Sequence, residues 1–167
     1  FIYLRVDLDA DNIVDDMDNC PGAWHQSQSD TDGDGIGDAC DECPGSLAGQ
    51  PTALDGCPPI LVDAAATGSN NGSSWANAYT RLQDALVAAT PYPSAPRQIW
   101  VAAGVYYPDR GGGQTPGDRF ATFQLKNRVE VYGGFLGNAH PLGGEQIVLE
   151  RNPDTETNGT ILSGDIG

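Results

Sequence analysis

Aspartates recur twice at one fixed spacing near the start of this 167-residue chain. One run begins at Asp7 and the other at Asp30, and each places acids at positions 1, 3, 5, 9 and 12 of a twelve-residue segment. Position 6 is Asn12 or Gly35, residue types that tolerate a sharp turn with positive φ. Such a run can fold only if something balances its crowded negative charge.

This spacing is the one that a calcium-binding loop requires. Ca²⁺ takes six to eight oxygen ligands, and alternate side chains of a wrapped chain point inward. Position 7 offers its backbone carbonyl, and the acids at positions 9 and 12 close the sphere directly or through water. We therefore expect two or more Ca²⁺ ions. The predicted metal-binding residues are Asp7, Asp9, Asp11, Ile13, Asp15, Asp18, Asp30, Asp32, Asp34, Ile36, Asp38 and Asp41.

An EF-hand pair is disfavoured, although its loops share this spacing. Position 12 is Asp in both runs rather than Glu, and residues 19–29 contain Pro and Gly without a helical apolar stripe. A dockerin-like binding module is also disfavoured. Dockerin loops are followed by helices, whereas the two loops of this chain are followed by Cys-Pro turns.

The four cysteines all lie in the acidic part of the chain, at Cys20, Cys40, Cys43 and Cys57. An even number in a loop-rich stretch predicts disulfides and an oxidising compartment. A zinc site is the alternative, since Cys40 and Cys43 form a C-x-x-C motif to which the other cysteines or His25 could add ligands.

Charge divides the chain near residue 60. Residues 1–63 hold 14 acidic side chains and one basic one, a net charge of −13, whereas residues 64–167 hold 9 and 7, a net charge of −2. Nucleic acid and anionic membrane surfaces are unlikely partners for so acidic a segment, and divalent cations are the natural ones. No apolar run approaches the length of a membrane span, so we expect no membrane insertion.

Residues 7–58 resemble thrombospondin type 3 repeats, in the bacterial form found beside cell-envelope domains. The matching stretches are residues 18–21, 28–41 and 41–58, which include Asp18-Asn-Cys20-Pro and Asp55-Gly-Cys57-Pro. The resemblance implies that each loop binds calcium and that sequential cysteines pair, as Cys20–Cys40 and Cys43–Cys57. Asn12 departs from the family's Gly, which implies a slightly weaker first loop.

Few apolar residues occur in this segment, so metal and disulfides are expected to hold it together. Trp24 is expected to pack over the Cys20 disulfide. His25 could be a metal ligand, but a lone histidine is more often solvated or hydrogen-bonded.

The second part of the chain has the pattern of a helix followed by short strands. Thr80 and Gln83 have capping-box spacing before an apolar stripe, and β-like runs recur with intervals of 30 and 31 residues at Ile99, Val129 and Thr160. This period suggests stacked solenoid coils with the helix covering the open edge. The predicted strands are residues 98–102, 104–107, 122–125, 129–132 and 159–163.

Residues 62–167 resemble the start of right-handed parallel β-helix proteins of the pectin-lyase-like class. The matching stretches are residues 72–79, 82–86, 99–106, 131–135 and 160–165. The fold class expected is mainly β, an irregular calcium-loop module plus a short right-handed parallel β-helix with one N-terminal capping helix. The expected segments are an N-terminal strand or assembly segment (1–6), the calcium-binding repeats (7–58) and the β-helix start (59–167).

No catalytic motif is evident, and most carboxylates of the second part lie in predicted loops. Glu130 alone is mid-strand, at a position expected to face solvent. We therefore expect an extracellular or cell-surface calcium-stabilised structural protein: a stalk, adhesin or filament subunit. Its partners would be calcium, copies of itself stacked head to tail on the open β edge, and surface carbohydrate or protein. The alternative is the front of a β-helix carbohydrate-active enzyme whose active rungs lie outside this chain.

Overall fold

The computed structural model describes residues 6–141, 143–152, 154 and 159–165. The chain divides into two compact units, Phe1–Pro58 and Pro59–Gly167. The first unit consists of loops with one short 3₁₀ turn, Asp15–Met17, and the second carries the strands and the α-helix. Of the predicted assembly segment at residues 1–6, only Val6 lies among the described residues. No described helix has the length and apolarity that a membrane span needs.

Two disulfides fasten the first unit. They join Cys20 to Cys40 and Cys43 to Cys57, with Cα–Cα distances of 5.8 and 5.0 Å. This is the pairing that the family resemblance implies. Because no cysteine is free, the zinc–thiolate alternative is wrong, since zinc binds thiolate sulfur rather than disulfide sulfur. The disulfides also fit an oxidising environment.

The second unit is built mainly from parallel strands, as the sequence predicts. Its α-helix, α1, spans Leu82–Ala88. Its strands are β1 (Ile60–Val62), β2 (Arg97–Ala102), β3 (Gly104–Tyr106), β4 (Val129–Phe135) and β5 (Thr160–Leu162). The strand order is β1-β2-β4 in one open sheet and β3-β5 in the other.

One apolar face of the three-stranded sheet forms the core. Ile60 lies opposite Ile99, and Ile99 lies opposite Val131, so aliphatic side chains stack from strand to strand. The buried stripe of α1, which includes Leu82 and Leu86, packs against this stack. The amphipathic helix was therefore predicted correctly, and burial of its apolar stripe on the sheet is what stabilises it.

The residues that pair between strands are not the ones that recur at intervals of 30 and 31 residues in the sequence. Val129 pairs with Arg97 instead of Ile99, and Thr160 pairs with Gly104 in the other sheet. A shift of two residues keeps every side chain on its own face of the sheet, so the apolar pattern alone cannot reveal it.

Three local predictions were wrong or incomplete. Residues 122–125 form no strand, and the strand at Ile60–Val62 was not predicted. Arg81 is the N-cap of α1 and makes no side-chain cap bond. Gln83 does not complete a capping box, because its buried amide donates instead to the carbonyls of Pro108 and Thr122. Glu130 is exposed, as predicted.

A buried glutamate, Glu145, fastens the turn that follows β4. Its carboxylate accepts the backbone N–H groups of Leu136 and Gly137 at 2.5 and 3.1 Å. Its backbone carbonyl accepts the indole N–H of Trp75 at 2.9 Å, and the Trp75 ring packs 5.6 Å from that of Phe135. The side chain therefore satisfies two backbone donors that would otherwise lack partners.

Replacing Glu145 by Ala should lower the free energy of unfolding of the second unit by about 2 kcal/mol or more, because two N–H groups lose a charged acceptor. Glu130→Ala is the matched control, since Glu130 is exposed and, among the described residues, its carboxylate accepts the Tyr132 hydroxyl. It should change stability by no more than about 0.5 kcal/mol. Urea unfolding monitored by tryptophan fluorescence measures both variants, and equal losses would contradict the assigned role of Glu145.

Candidate metal centres

The two aspartate loops share three internal hydrogen bonds to carboxylates at positions 1, 3 and 5, displaced by one 23-residue repeat. In each loop the backbone N–H of position 5 donates to the carboxylate of position 3. The backbone N–H of position 6 donates to the carboxylate of position 1, and the backbone N–H of position 7 donates to the carboxylate of position 5. The first-loop pairs are Asp11 to Asp9, Asn12 to Asp7 and Ile13 to Asp11, at 3.1, 3.1 and 2.8 Å. The second-loop pairs are Asp34 to Asp32, Gly35 to Asp30 and Ile36 to Asp34, at 3.3, 3.0 and 2.8 Å.

Two positions of each loop take the left-handed backbone conformation. At position 6, Asn12 and Gly35 have φ of 76° and 97°, which matches the turn expected there. At position 4, Ala10 and Gly33 have φ of 62° and 76°. Sequence reasoning missed position 4, because an alanine gives no sign that it must adopt this strained conformation.

These turns bring the first three acids of each loop together. Carboxylate oxygens of Asp7, Asp9 and Asp11 lie within 4.8 Å of one another, and so do those of the corresponding acids in the second loop, Asp30, Asp32 and Asp34. Within the described chain, Asp7 Oδ1 and Asp9 Oδ2 are buried without a hydrogen-bond partner. Buried anionic oxygens without donors are what a hard cation such as Ca²⁺ would satisfy, so the donor set fits calcium.

Asp18, at position 12, closes the first loop. It forms a further group within 4.8 Å with Asp11 and His25, and its Oδ2 is also buried without a partner. Desolvation, the largest influence, would raise the pKa of Asp18. Hydrogen bonds from the Gln28 amide and the Cys20 N–H, together with the nearby His25, outweigh it and lower that pKa. The lowered pKa favours the ionised form of Asp18, which is the form that binds a cation.

The corresponding closing acid of the second loop is Asp41. Burial raises its pKa most, and the three first carboxylates of its own loop raise it further, against a hydrogen bond from the Cys43 N–H. In the first loop, burial and then the carboxylates of Asp11, Asp18 and Asp7 raise the pKa of Asp9 in the same way. Each loop therefore holds several carboxylates close together, and a bound divalent cation would reduce the repulsion between them.

The position-9 acids accept hydrogen bonds from the second residue of their own loops, and their predicted role as calcium ligands stays a prediction. Asp15 accepts the N–H of Leu8 at 2.9 Å, and Asp38 accepts the N–H and hydroxyl of Thr31 at 2.8 and 2.9 Å. Among the residues that can be described, neither carboxylate joins the close groups formed by positions 1, 3 and 5. They fasten the start of each loop to its end.

His25 is held by the chain, as expected for a lone histidine. Its Nδ1 faces the Ala23 carbonyl at 2.9 Å and its Nε2 faces Asn19 Oδ1 at 2.6 Å. The expected packing of Trp24 is wrong, because its side chain is 64% exposed. Backbone covers the buried Cys20 sulfur instead, with the Gly37 carbonyl oxygen 3.1 Å away.

Several supporting residues were missed by sequence reasoning. Gln26 and Gln28 donate from the segment after the first loop, to the Asp11 carbonyl at 2.7 Å and to the Asp18 carboxylate at 2.8 Å. Ser46, after the second loop, donates to the carboxylates of that loop. The 23-residue repeat was the sequence signal for these residues. It places a Cys-Pro-Gly turn after each loop, and such a turn directs the following segment back toward that loop.

Replacing Ala10 by Gly should stabilise the calcium-loaded first unit by about 0.5–1 kcal/mol, because glycine removes the strain of a left-handed alanine. Gly33→Ala should lower stability by a similar amount. Ala23→Gly is the control, because Ala23 is not among the positive-φ residues and the change should not stabilise. Amide hydrogen exchange over residues 7–41 measures all three, and equal stabilities of Ala10→Gly and Ala23→Gly would contradict the strain.

Calcium binding should release protons below neutral pH. The pKa values of Asp9 and Asp41 lie above their ordinary value of 3.8, and the ion binds the ionised carboxylates. These two groups favour the metal-free fold at low pH and weaken it as pH rises through their raised pKa values, whereas stabilisation by calcium grows over the same range. Titration calorimetry in buffers of different ionisation enthalpy should detect more proton release per calcium ion at a pH close to 3.8 than at neutral pH. Heats that do not depend on the buffer at the lower pH would contradict it.

Comparison of the chain with protein-family models, with curated proteins and with solved structures found no match. Its function is therefore inferred from the geometry of the two loops.

Proposed function

We propose that this chain is a calcium-stabilised structural module of an extracellular or cell-surface protein, of the thrombospondin type 3 kind in its first unit. One observation carries the proposal: three carboxylate oxygens of the first loop, on Asp7, Asp9 and Asp18, are buried without partners in the described chain. The second loop repeats the same backbone arrangement and supports a second ion.

The donor chemistry favours calcium over other metals. The ligand atoms that positions 1, 3 and 5 of each loop bring together are all carboxylate oxygens, which are hard ligands. The nearby sulfur atoms are bound in disulfides. Mg²⁺ demands near-octahedral geometry and keeps several waters, which suits a crowded carboxylate loop less well. Calcium tolerates irregular coordination by six to eight oxygens. Extracellular modules bind it with dissociation constants of roughly 10⁻⁴–10⁻³ M.

The apolar side chains of the first unit support a structural role for the metal. Leu8, Met17, Leu47 and Leu54 are all exposed, so they contribute little burial. The hydrophobic effect is too small here to offset the entropy lost by ordering some fifty residues. Bound calcium stabilises only the folded loops, by about 2.7 kcal/mol for each ion present at a hundred times its Kd.

For the second unit we propose the start of a parallel β-helix that carries the calcium module on a stalk, adhesin or filament. All of its described strand pairs are parallel, and β4 and β5 are outer strands of their sheets. Further coils, or a second copy of the chain, could add to these edges. Surface carbohydrate or protein is the expected external partner.

The enzymatic alternative gains less support from Asp63 and Glu145, two buried carboxylates of this unit. Asp63 accepts the N–H groups of Ala65 and Asn138, and Glu145 accepts two others. Carboxylates engaged in this way hold turns together, which favours a structural role over proton transfer.

Removal of calcium tests the proposal. Chelation with EDTA should unfold residues 7–42 and make them sensitive to protease, while residues 64–167 respond much less. Hydrogen exchange with mass spectrometry reads both units in the same sample. Asp9→Asn should reproduce the loss in the first loop, whereas the control Asp16→Asn, at an exposed aspartate outside the predicted ligand set, should leave it intact. Unchanged protection of residues 7–42 in EDTA would overturn the proposal.

A further inference from the structure

The disulfide Cys43–Cys57 closes a segment that folds back onto the second calcium loop. The backbone N–H of Glu42 donates to the Asp55 carbonyl at 2.8 Å. At Gly56 the backbone passes so close to Asp41 that a Cβ would lie 1.8 Å from its Oδ1. Residues 43–57 therefore pack against the loop rather than hanging from it.

Within this segment, one hydroxyl reaches the carboxylates themselves. Ser46 Oγ lies 3.2 Å from Asp32 Oδ2 and 2.5 Å from Asp34 Oδ2. Ser46 is only 8% exposed, so bulk water competes little for its hydroxyl. Both carboxylates belong to the group whose oxygens lie within 4.8 Å of one another.

We propose that Ser46 Oγ is a calcium ligand of the second loop, supplied by the disulfide-closed segment 43–57. A hydroxyl has one hydrogen to donate and two lone pairs, so Ser46 can bond a carboxylate and still offer an oxygen to a cation. Calcium takes six to eight oxygens, and the six predicted residues of the second loop offer six in single contacts, so its coordination sphere can accept a further oxygen. This inference rests on the proposed function and adds a ligand outside the twelve-residue spacing.

The internal repeat shows that this ligand is particular to the second loop. Cys20-Pro-Gly is followed by Ala23, and Cys43-Pro-Gly is followed by Ser46 at the same place in the repeat. Alanine has no side-chain oxygen. In the first loop, the fully buried Asp11 carboxylate accepts the backbone N–H of His25 at 3.1 Å. The two calcium sites therefore have different ligand sets.

A link between the disulfide and the metal follows. Because Ser46 is held in place by the Cys43–Cys57 ring, opening that ring frees the ligand and weakens the second site. By thermodynamic reciprocity, calcium in the second loop favours the closed disulfide to the same extent.

Calorimetric titration of the whole chain with CaCl₂ tests the proposal, in an Asp9→Asn background that silences the first loop. Ser46→Ala should weaken calcium binding by the second loop about 10- to 100-fold. Ser46→Thr, which keeps the hydroxyl, should bind calcium about as tightly as the Ser46 protein, whereas Ser46→Val, which has the shape of Thr without the hydroxyl, should weaken binding as Ala does. Ser27→Ala is the control for removing an exposed serine hydroxyl and should have no effect. Mass spectrometry confirms that both disulfides are formed in every variant.

The outcomes separate the two proposals. If the Asp9→Asn chain with Ser46 intact binds no calcium, the proposed function of the second loop fails. If it binds calcium and the Ala and Val variants bind equally well, only the role of Ser46 fails. Loss of affinity in Ala and Val together with retention in Thr supports it, and equal loss in Thr and Val overturns it.

Discussion

Crowding of carboxylates in the two aspartate loops is the constraint on which the first unit depends. Left-handed turns at positions 4 and 6 direct backbone N–H groups at the carboxylates and bring their oxygens within 4.8 Å of one another. Burial, and then repulsion from neighbouring carboxylates, raise the pKa values of Asp9 and Asp41, so this arrangement costs free energy without a cation. A divalent ion would reverse the sign of that interaction, while the disulfides limit the freedom of the unfolded chain.

The second unit obtains its stability in another way. Its aliphatic stack at Ile60, Ile99 and Val131, covered by α1, is an ordinary hydrophobic core that needs no metal. Glu145 adds a buried carboxylate whose charge is satisfied by backbone donors. One chain therefore combines a unit that depends on ligands and cross-links with one that depends on burial. That difference underlies the proposed division into a calcium-rigidified module and a β scaffold.

Sequence reasoning succeeded where a residue type by itself indicates a ligand or a backbone conformation. The aspartate spacing led to the grouped acids, and Asn12 and Gly35 indicated the turn at position 6. It failed where the need arises from the rest of the fold. Ala10 takes a left-handed conformation that only the closed loop imposes, and Ser46 reaches the second loop only because a disulfide returns the chain there. The register of Val129 was also inaccessible, since a slip of two residues preserves the apolar face.

An anomalous difference map from crystals grown in roughly millimolar calcium would test the central claim most directly. The account predicts one density peak enclosed by Asp7, Asp9 and Asp11 and another enclosed by Asp30, Asp32 and Asp34, with Ser46 Oγ in contact with the second. An ordered first unit whose two loops contain no such peak would show that the protein alone holds these carboxylates close together, and would contradict the account.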